Sequence, residues 1–344
     1  MTGSESASST ITASAGLDDA SATAAAQLLA TLYCPDGHDR ELTPDALHRP
    51  EAEQGLLWVD VAGSVDIGDL CARLHIPEAV RTPAFADGTS PRIGLDGDYV
   101  WCQVAVIVHA GELSFAGRML RILAGPGFVV TQHVAQIDFL QALRERERGR
   151  TRLGTLAAPL FLASLLHWVI ESYFDAVMTF EAALERIESD ILEDRHDEDS
   201  LRLGIMRRAA ARMRRMLGAH RFVFASLGRP DFLPEADAQT QASLLALEAQ
   251  FQHATDAVEN ARELVVGTLD VLTNRIALRT NRSMRLLTFA AVVFGLLSVF
   301  AGVMGMNFQA GLFDSGDRGF YVTVGAMLAG AVLALLLGIR RHWF

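Results

Sequence analysis

Residues 281–308 read NRSMRLLTFAAVVFGLLSVFAGVMGMNF, and where the small and polar residues fall in that stretch decides how the chain is organised. Extended backwards in steps of three and four, one face carries Glu263, Gly267, Asp270, Asn274, Ala277, Asn281, Met284, Thr288, Ala291, Gly295, Ser298, Gly302 and Gly305. These are heptad a and d positions, holding acids, amides, hydroxyls and very small residues where a coiled coil carries leucine. The neighbouring faces between 286 and 300 are apolar, with Leu286, Leu287, Phe289, Val292, Val293, Phe294, Leu296, Leu297, Val299 and Phe300. A lone helix in lipid gains nothing by gathering its polar residues on one side. Several copies around one axis do, because the stripe then lines a wet path or a close helix contact. No proline interrupts residues 235–307, so the spacing predicts one helix of about 70 residues, a rod of roughly 100 Å. Only ~30 Å of it fits in hydrocarbon, which leaves most of the rod in water.

Composition narrows the classes. The 344 residues leave room for a soluble portion of about 250 residues and two spans. A mean hydropathy of +0.23 is too low for a many-span transporter. All 30 basic residues are arginine, which removes a P-loop lysine, a pyridoxal Schiff base and a Ser-Lys dyad from consideration. The net charge of −11 argues against nucleic acid as a partner and is compatible with attracting cations. Cys34, Cys71 and Cys102 are far apart and read as buried free thiols. His109, His133 and His167 read as core or interface residues, and no histidines pair at i,i+4 as in a zinc site. With no nucleophile–base or metal-ligand set, an enzyme is not expected.

Residues 1–24 are Ser/Thr/Ala-rich and read as a disordered tail. They lack the basic and apolar regions of a signal peptide, which places the N-terminus in the cytoplasm. Residues 25–150 show an α/β pattern. Strands are expected at 56–61, 99–109, 113–123 and 127–132, and a helix from near Asp66 to His75. Residues 151–234 form a helical hairpin region. The helices expected from this pattern run over 134–148, 155–193 and 200–227. Between the last two, Glu188, Asp190, Glu193, Asp194, Asp197, Glu198 and Asp199 make an acidic tip, either a solvated helix end or a cation-attracting one. The long helix follows at 235–307.

Its last part, about 286–306, reads as a first span; 308–318 is an outer loop, 319–339 a second span and 340–344 a basic end. Arg275, Arg279, Arg282 and Arg285 precede the first span, and Arg340 and Arg341 follow the second. The positive-inside bias therefore puts both termini in the cytoplasm and the protein in the plasma membrane. Two spans cannot enclose a pore, so a conducting reading requires a homo-oligomer.

An arginine-rich long helix, a span closing on Gly305-Met306-Asn307, a short loop, a second span and a basic end together resemble the CorA superfamily of divalent-cation channels. The likeness is best over 255–344 and looser over 55–255, where Trp58-Val59-Asp60-Val61 and residues 128–133 are similar to the family's N-terminal domain. It implies an α+β cytoplasmic domain, long helices and a two-span α-helical transmembrane hairpin, assembled as a pentameric funnel. Gly305, Met306 and Asn307 would then form the outer mouth. Asp270, Asn274, Asn281, Met284, Leu287, Thr288, Ala291, Gly295, Ser298 and Gly302 would line the path, with Met284 and Leu287 resembling the family's apolar constriction. Two features depart from the pattern: Gly295 stands where better-known members carry a bulky residue, and Gln309 to Asp314 replaces an acidic loop.

The leading reading is passive, potential-driven passage of Mg²⁺, with Co²⁺ or Ni²⁺ as further ions and no resident cofactor. A zinc or transition-metal transporter, proton-coupled like the ZntB branch, is the alternative; that branch more often carries Gly-Val-Asn. A membrane-anchored regulatory protein is the third reading, and it leaves the polar stripe unexplained. Asp256, Glu259 and Glu263 are candidate ligands for a regulatory divalent cation.

Overall fold

The computed structural model describes residues 27–50, 55–111, 113–148, 153–193, 199–305 and 316–340. The first strands are β1 (Gln27–Tyr33), β2 (Arg40–Leu42) and β3 (Leu56–Ala62), followed by helices α1 (Gly68–Arg73) and α2 (Glu78–Phe85). Then come β4 (Arg92–Asp96), β5 (Tyr99–Gly111), β6 (Ser114–Gly125) and β7 (Phe128–His133). Together the strands make one sheet of order β2-β1-β3-β7-β6-β5-β4, in which only β3 and β7 run parallel. Two tight turns set the register of its antiparallel half. Asp96 pairs with Tyr99 around Gly97 at φ 57°, and Gly125 pairs with Phe128 around Gly127 at φ 80°. Both glycines hold a left-handed backbone that a Cβ would strain.

Side chains alternate across the sheet. Leu57, Val59 and Val61 pack with Leu70 and Cys71 of α1, with Leu74 just past its end, and with Val80 and Ala84 of α2. Trp58 and Asp60 point to the opposite face, where α3 (Asp138–Glu147) and α4 (Ala158–Glu193) lie. Helix α4 buries Phe161, Leu165, Val169, Tyr173, Val177, Phe180 and Leu184 against β5, β6 and β7. Its Tyr173 hydroxyl donates to the carbonyl of Ala105 at 3.0 Å, and the Phe161 ring meets Trp58 edge-on at 5.3 Å. The three cysteines are free and buried, and burial pushes the Cys71 thiol to about 11 and that of Cys102 to about 12.

The segment expected as one helix over 200–227 is two, α5 (Asp199–Gly218) and α6 (Arg221–Leu227). The break falls at His220, which is fully buried. Its Nδ1 donates to Met216 O at 2.8 Å, and its Nε2 accepts the Ala105 amide at 2.8 Å. A distant strand thus stops the helix. The helix expected from Val134 begins only at Asp138. The proposed acidic tip is described for Glu188, Asp190 and Glu193 within α4; Asp194, Asp197 and Glu198 lie outside the described residues. Of the histidines expected inside, His133 is buried and His167 is half-buried against Gln250 at 2.8 Å. His109 is exposed beside Phe115, a correction to the expectation.

Asp237 starts α7 (Ala238–Met304) by accepting the Thr240 amide at 2.7 Å. The helix continues through 67 residues without interruption. The α+β N-terminal portion and the long C-terminal helices are thus as the sequence leads one to expect. Contacts divide the chain into two compact units, Met1–Val266 and Gly267–Phe344. The second holds the rest of α7 and α8 (Gly316–Arg340).

Candidate functional site: the polar face of the long helix

Among the described residues three helices are long and apolar enough to cross a membrane by length and composition: α4, α7 and α8. Packing separates them. In α4, 56% of the apolar window is already buried inside the first unit, whereas the figures are 0% for α7 and 6% for the Tyr321–Gly338 segment of α8. The apolar surface of α4 is spent on the sheet. That of α7 and α8 is open and needs another apolar medium.

Within the second unit, α7 and α8 share an apolar groove of about 300 Å³, lined by Val293, Leu296, Leu297 and Phe300 from α7 and by Ala326, Met327, Gly330, Ala331 and Ala334 from α8. On α7 between 286 and 304, residues 289, 290, 293, 297 and 304 are the half-buried ones. At 3.6 residues per turn that stripe and the stripe of Thr288, Ala291, Gly295, Ser298 and Gly302 lie on roughly opposite sides of the helix. All five members of the second stripe are exposed. A Cβ added at Gly295 or Gly302 would meet nothing within 4 Å. The chain's own second helix therefore does not explain these glycines.

The continuous helix also holds Asp270, Asn274, Asn281, Met284 and Leu287 in the spacing read from the sequence, all exposed, with Met284 at 62% and Leu287 at 69%. Gly305 closes the described part, its amide donating to Ala301 O at 2.9 Å. Met306 and Asn307 lie outside the described residues.

The three regulatory candidates fare differently. Asp256 and Glu263 are exposed. Glu259 is engaged by arginine, with Arg214 Nε at 2.9 Å and Arg262 Nη1 at 2.6 Å, so its carboxylate already has cationic partners. Among the described residues no group of three or more His, Cys, Asp or Glu side chains is placed to hold a metal. Sequence reasoning missed the α8 lining of the groove, although its signal was present: Ala326, Gly330 and Ala334 recur every fourth residue, the small-residue spacing of close helix pairs. It could not have found the Arg214–Glu259 pair, which joins α5 to α7.

Comparison with known proteins gives a consistent picture. Residues 53–341 match the sequence profile of CorA, described as CorA-like Mg²⁺ transporter protein. The chain is 27% identical over 207 residues to the cobalt/magnesium transport protein CorA of Thermotoga maritima, covering 60% of this chain and 59% of that protein. In fold it is similar to the complete structure of the CorA magnesium transporter from Methanocaldococcus jannaschii, with a TM-score of 0.74 and 18% identity over 93% of this chain and 100% of the other. It is also similar to the ZntB cytoplasmic domain from Vibrio parahaemolyticus, with a TM-score of 0.52 and 17% identity over 72% of this chain and 97% of that one.

Proposed function

The chain belongs to the CorA family, that of CorA-like Mg²⁺ transporter proteins, and from that premise we propose that it conducts Mg²⁺ passively across the plasma membrane as a homo-oligomer. Two spans, the last part of α7 and α8, cross the bilayer with both termini in the cytoplasm, and five copies turn the polar face of α7 inward. The observation that carries this reading is the opposition of the two stripes on α7. One side meets α8; the other is small and polar, and finds no partner among the described residues.

The chemistry suits a hydrated dication. Mg²⁺ gives up its waters reluctantly. A ring of Asn307 amide carbonyls at the outer mouth hydrogen-bonds the hydration shell without a fixed charge to trap the ion, and Asn281 and Thr288 act similarly further in. Met284 and Leu287 form an apolar constriction that gates by dewetting. Each elementary charge gains about 2.3 kcal/mol per 100 mV, so a dication gains roughly 4.6, and no fuel motif is needed. Asp256 and Glu263 contribute to a regulatory cation site completed by a neighbouring copy.

The test is ion flux into proteoliposomes with the mass of the complex measured in parallel. Asn307→Ala is expected to abolish Mg²⁺ uptake while the oligomer persists; unchanged uptake, or a monomeric complex, overturns the reading. The likeness to a ZntB cytoplasmic domain keeps zinc as the second reading. Zn²⁺ flux that exceeds Mg²⁺ flux and follows a pH gradient would replace the first with the second.

A further inference from the structure

β3 and β7 run side by side in parallel, and the chain leaves their carboxyl ends toward opposite faces: from β3 to α1 and α2, from β7 to α3. In open sheets such a reversal leaves a crevice beyond the strand ends, where ligands of α/β folds usually sit. On the α3 side of this junction a cavity of about 990 Å³ runs from Ala62 and His133 at the carboxyl ends of β3 and β7 along β1, past Thr31, with Asp60 on the sheet side and Leu140 and Arg144 on the α3 side. Its size is at the upper end of small-molecule sites.

The polar groups at its base are incompletely matched. Asp60 Oδ1 accepts from the Thr131 hydroxyl at 2.6 Å and lies 3.3 Å from His133 Nε2, while Arg144 Nη2 lies 3.3 Å from Asp60 Oδ2. Burial pushes the His133 imidazole toward neutrality, but the Asp60 carboxylate outweighs it and the pKa rises above the ordinary histidine value. The buried Asp60 carboxylate therefore faces both the Arg144 guanidinium and the His133 imidazole. His133 Nε2 and Arg144 Nε and Nη2 are buried without an aligned hydrogen-bond acceptor, an arrangement that points to a role beyond packing. Three further acids line the cavity, Asp39, Glu41 and Glu145. Arg148 reaches Glu41 at 2.7 Å across its mouth, and Glu145 accepts from Gln141 at 3.1 Å.

We propose that this crevice binds a small organic oxyanion of mononucleotide size, its phosphate or carboxylate seated beside Arg144 and His133 and its body against Leu140. The experiment is calorimetric titration of the full-length protein in detergent with AMP and, separately, with citrate; the two arms distinguish phosphate from carboxylate. Saturable binding of either is expected, weakened at least about ten-fold by Arg144→Gln, which loses the charge-assisted contact. Arg144→Gln also disturbs the Asp60 cluster, so Ala62→Leu serves as the second variant: it fills the base of the cavity without removing a hydrogen bond. Binding lost in Ala62→Leu, with the unfolding midpoint of the ligand-free protein kept, supports the site. No heat from either anion, or binding undiminished in Ala62→Leu, overturns it. Ion flux is not the readout, so failure here leaves the transport reading standing, and the converse.

Discussion

Acidification should loosen the first unit through one side chain, His220. In the folded chain it is neutral by construction. Its Nδ1–H donates to Met216 O and its Nε2 accepts the Ala105 N–H, so a second proton would have to sit on Nε2 facing another donor. Burial pushes its pKa from 6.5 down to about 4, against the smaller upward pull of the Met216 and Leu217 backbone. A histidine whose folded pKa lies below its unfolded value stabilises fully above pH 6.5 and loses that contribution as pH falls toward 4. The gap corresponds to about 3 kcal/mol, a sizeable share of the roughly 5–15 kcal/mol that holds a typical domain folded. His133 acts with the opposite sign: its raised pKa gives stability that is present at low pH and lost as pH rises through the raised value. Asp231 and Asp237, exposed and held below the ordinary carboxylate value by Arg229 and by Thr240, lose their contributions only below that value, near 3.8. The window between 6.5 and 4 therefore isolates His220. The assay is denaturant unfolding of the full-length protein, followed by a probe in the first unit, at several pH values. His220→Gln keeps a donor and an acceptor but does not titrate, so its stability should be flat across the window where the natural protein declines. Equal declines in both proteins would refute the assignment.

Gly295→Leu should cut Mg²⁺ flux by at least about ten-fold if the stripe lines the conduit; because a Cβ there meets nothing within 4 Å, the unfolding midpoint should stay near that of the natural protein. Thr131→Val removes the acceptor of the Trp58 Nε1–H at 3.0 Å and the donor to Asp60 at 2.6 Å, and should cost about 1–3 kcal/mol in denaturant unfolding, as for a buried donor left unpaired. Glu259→Gln breaks two partly exposed ion pairs and should shift stability by less than about 1 kcal/mol. It should leave any stabilisation by Mg²⁺ intact, whereas Asp256→Asn combined with Glu263→Gln should reduce it.

What the sequence makes legible is what is written locally. The polar stripe of α7 is a spacing rule, and a helix without proline obeys it over 67 residues. Strands β3, β5, β6 and β7 have runs of branched and aromatic residues bounded by glycine turns. By contrast β1 reads QLLATLY, a leucine and alanine mixture as compatible with helix as with strand, and its extended form comes from pairing with β3 along its whole length. Helix α2 holds Pro83 in its interior, which argues against helix locally. The break between α5 and α6 depends on Ala105, 115 residues away from His220. The Asp60 cluster joins strands whose contacting residues are 71 apart. Each of these is set by a partner that no local window contains.

The distribution of charge along α7 carries a last argument about what the stripe can conduct. At 4 Å and an effective dielectric of about 20, a carboxylate attracts a dication by about 8 kcal/mol. That exceeds the roughly 4.6 kcal/mol a dication gains per 100 mV, so an acid inside hydrocarbon would hold the ion rather than pass it. On the stripe the acids Glu263 and Asp270 come before the arginines that precede the span, and from Thr288 to Gly305 every member is neutral. A neutral path can still carry a dication if the ion keeps its water, which requires width more than ligands. Glycine and alanine supply width. If the stripe lines the conduit proposed above, Gly295 widens it at that level and leaves Met284 and Leu287, both apolar and exposed within the protomer, as the level at which the path can be closed.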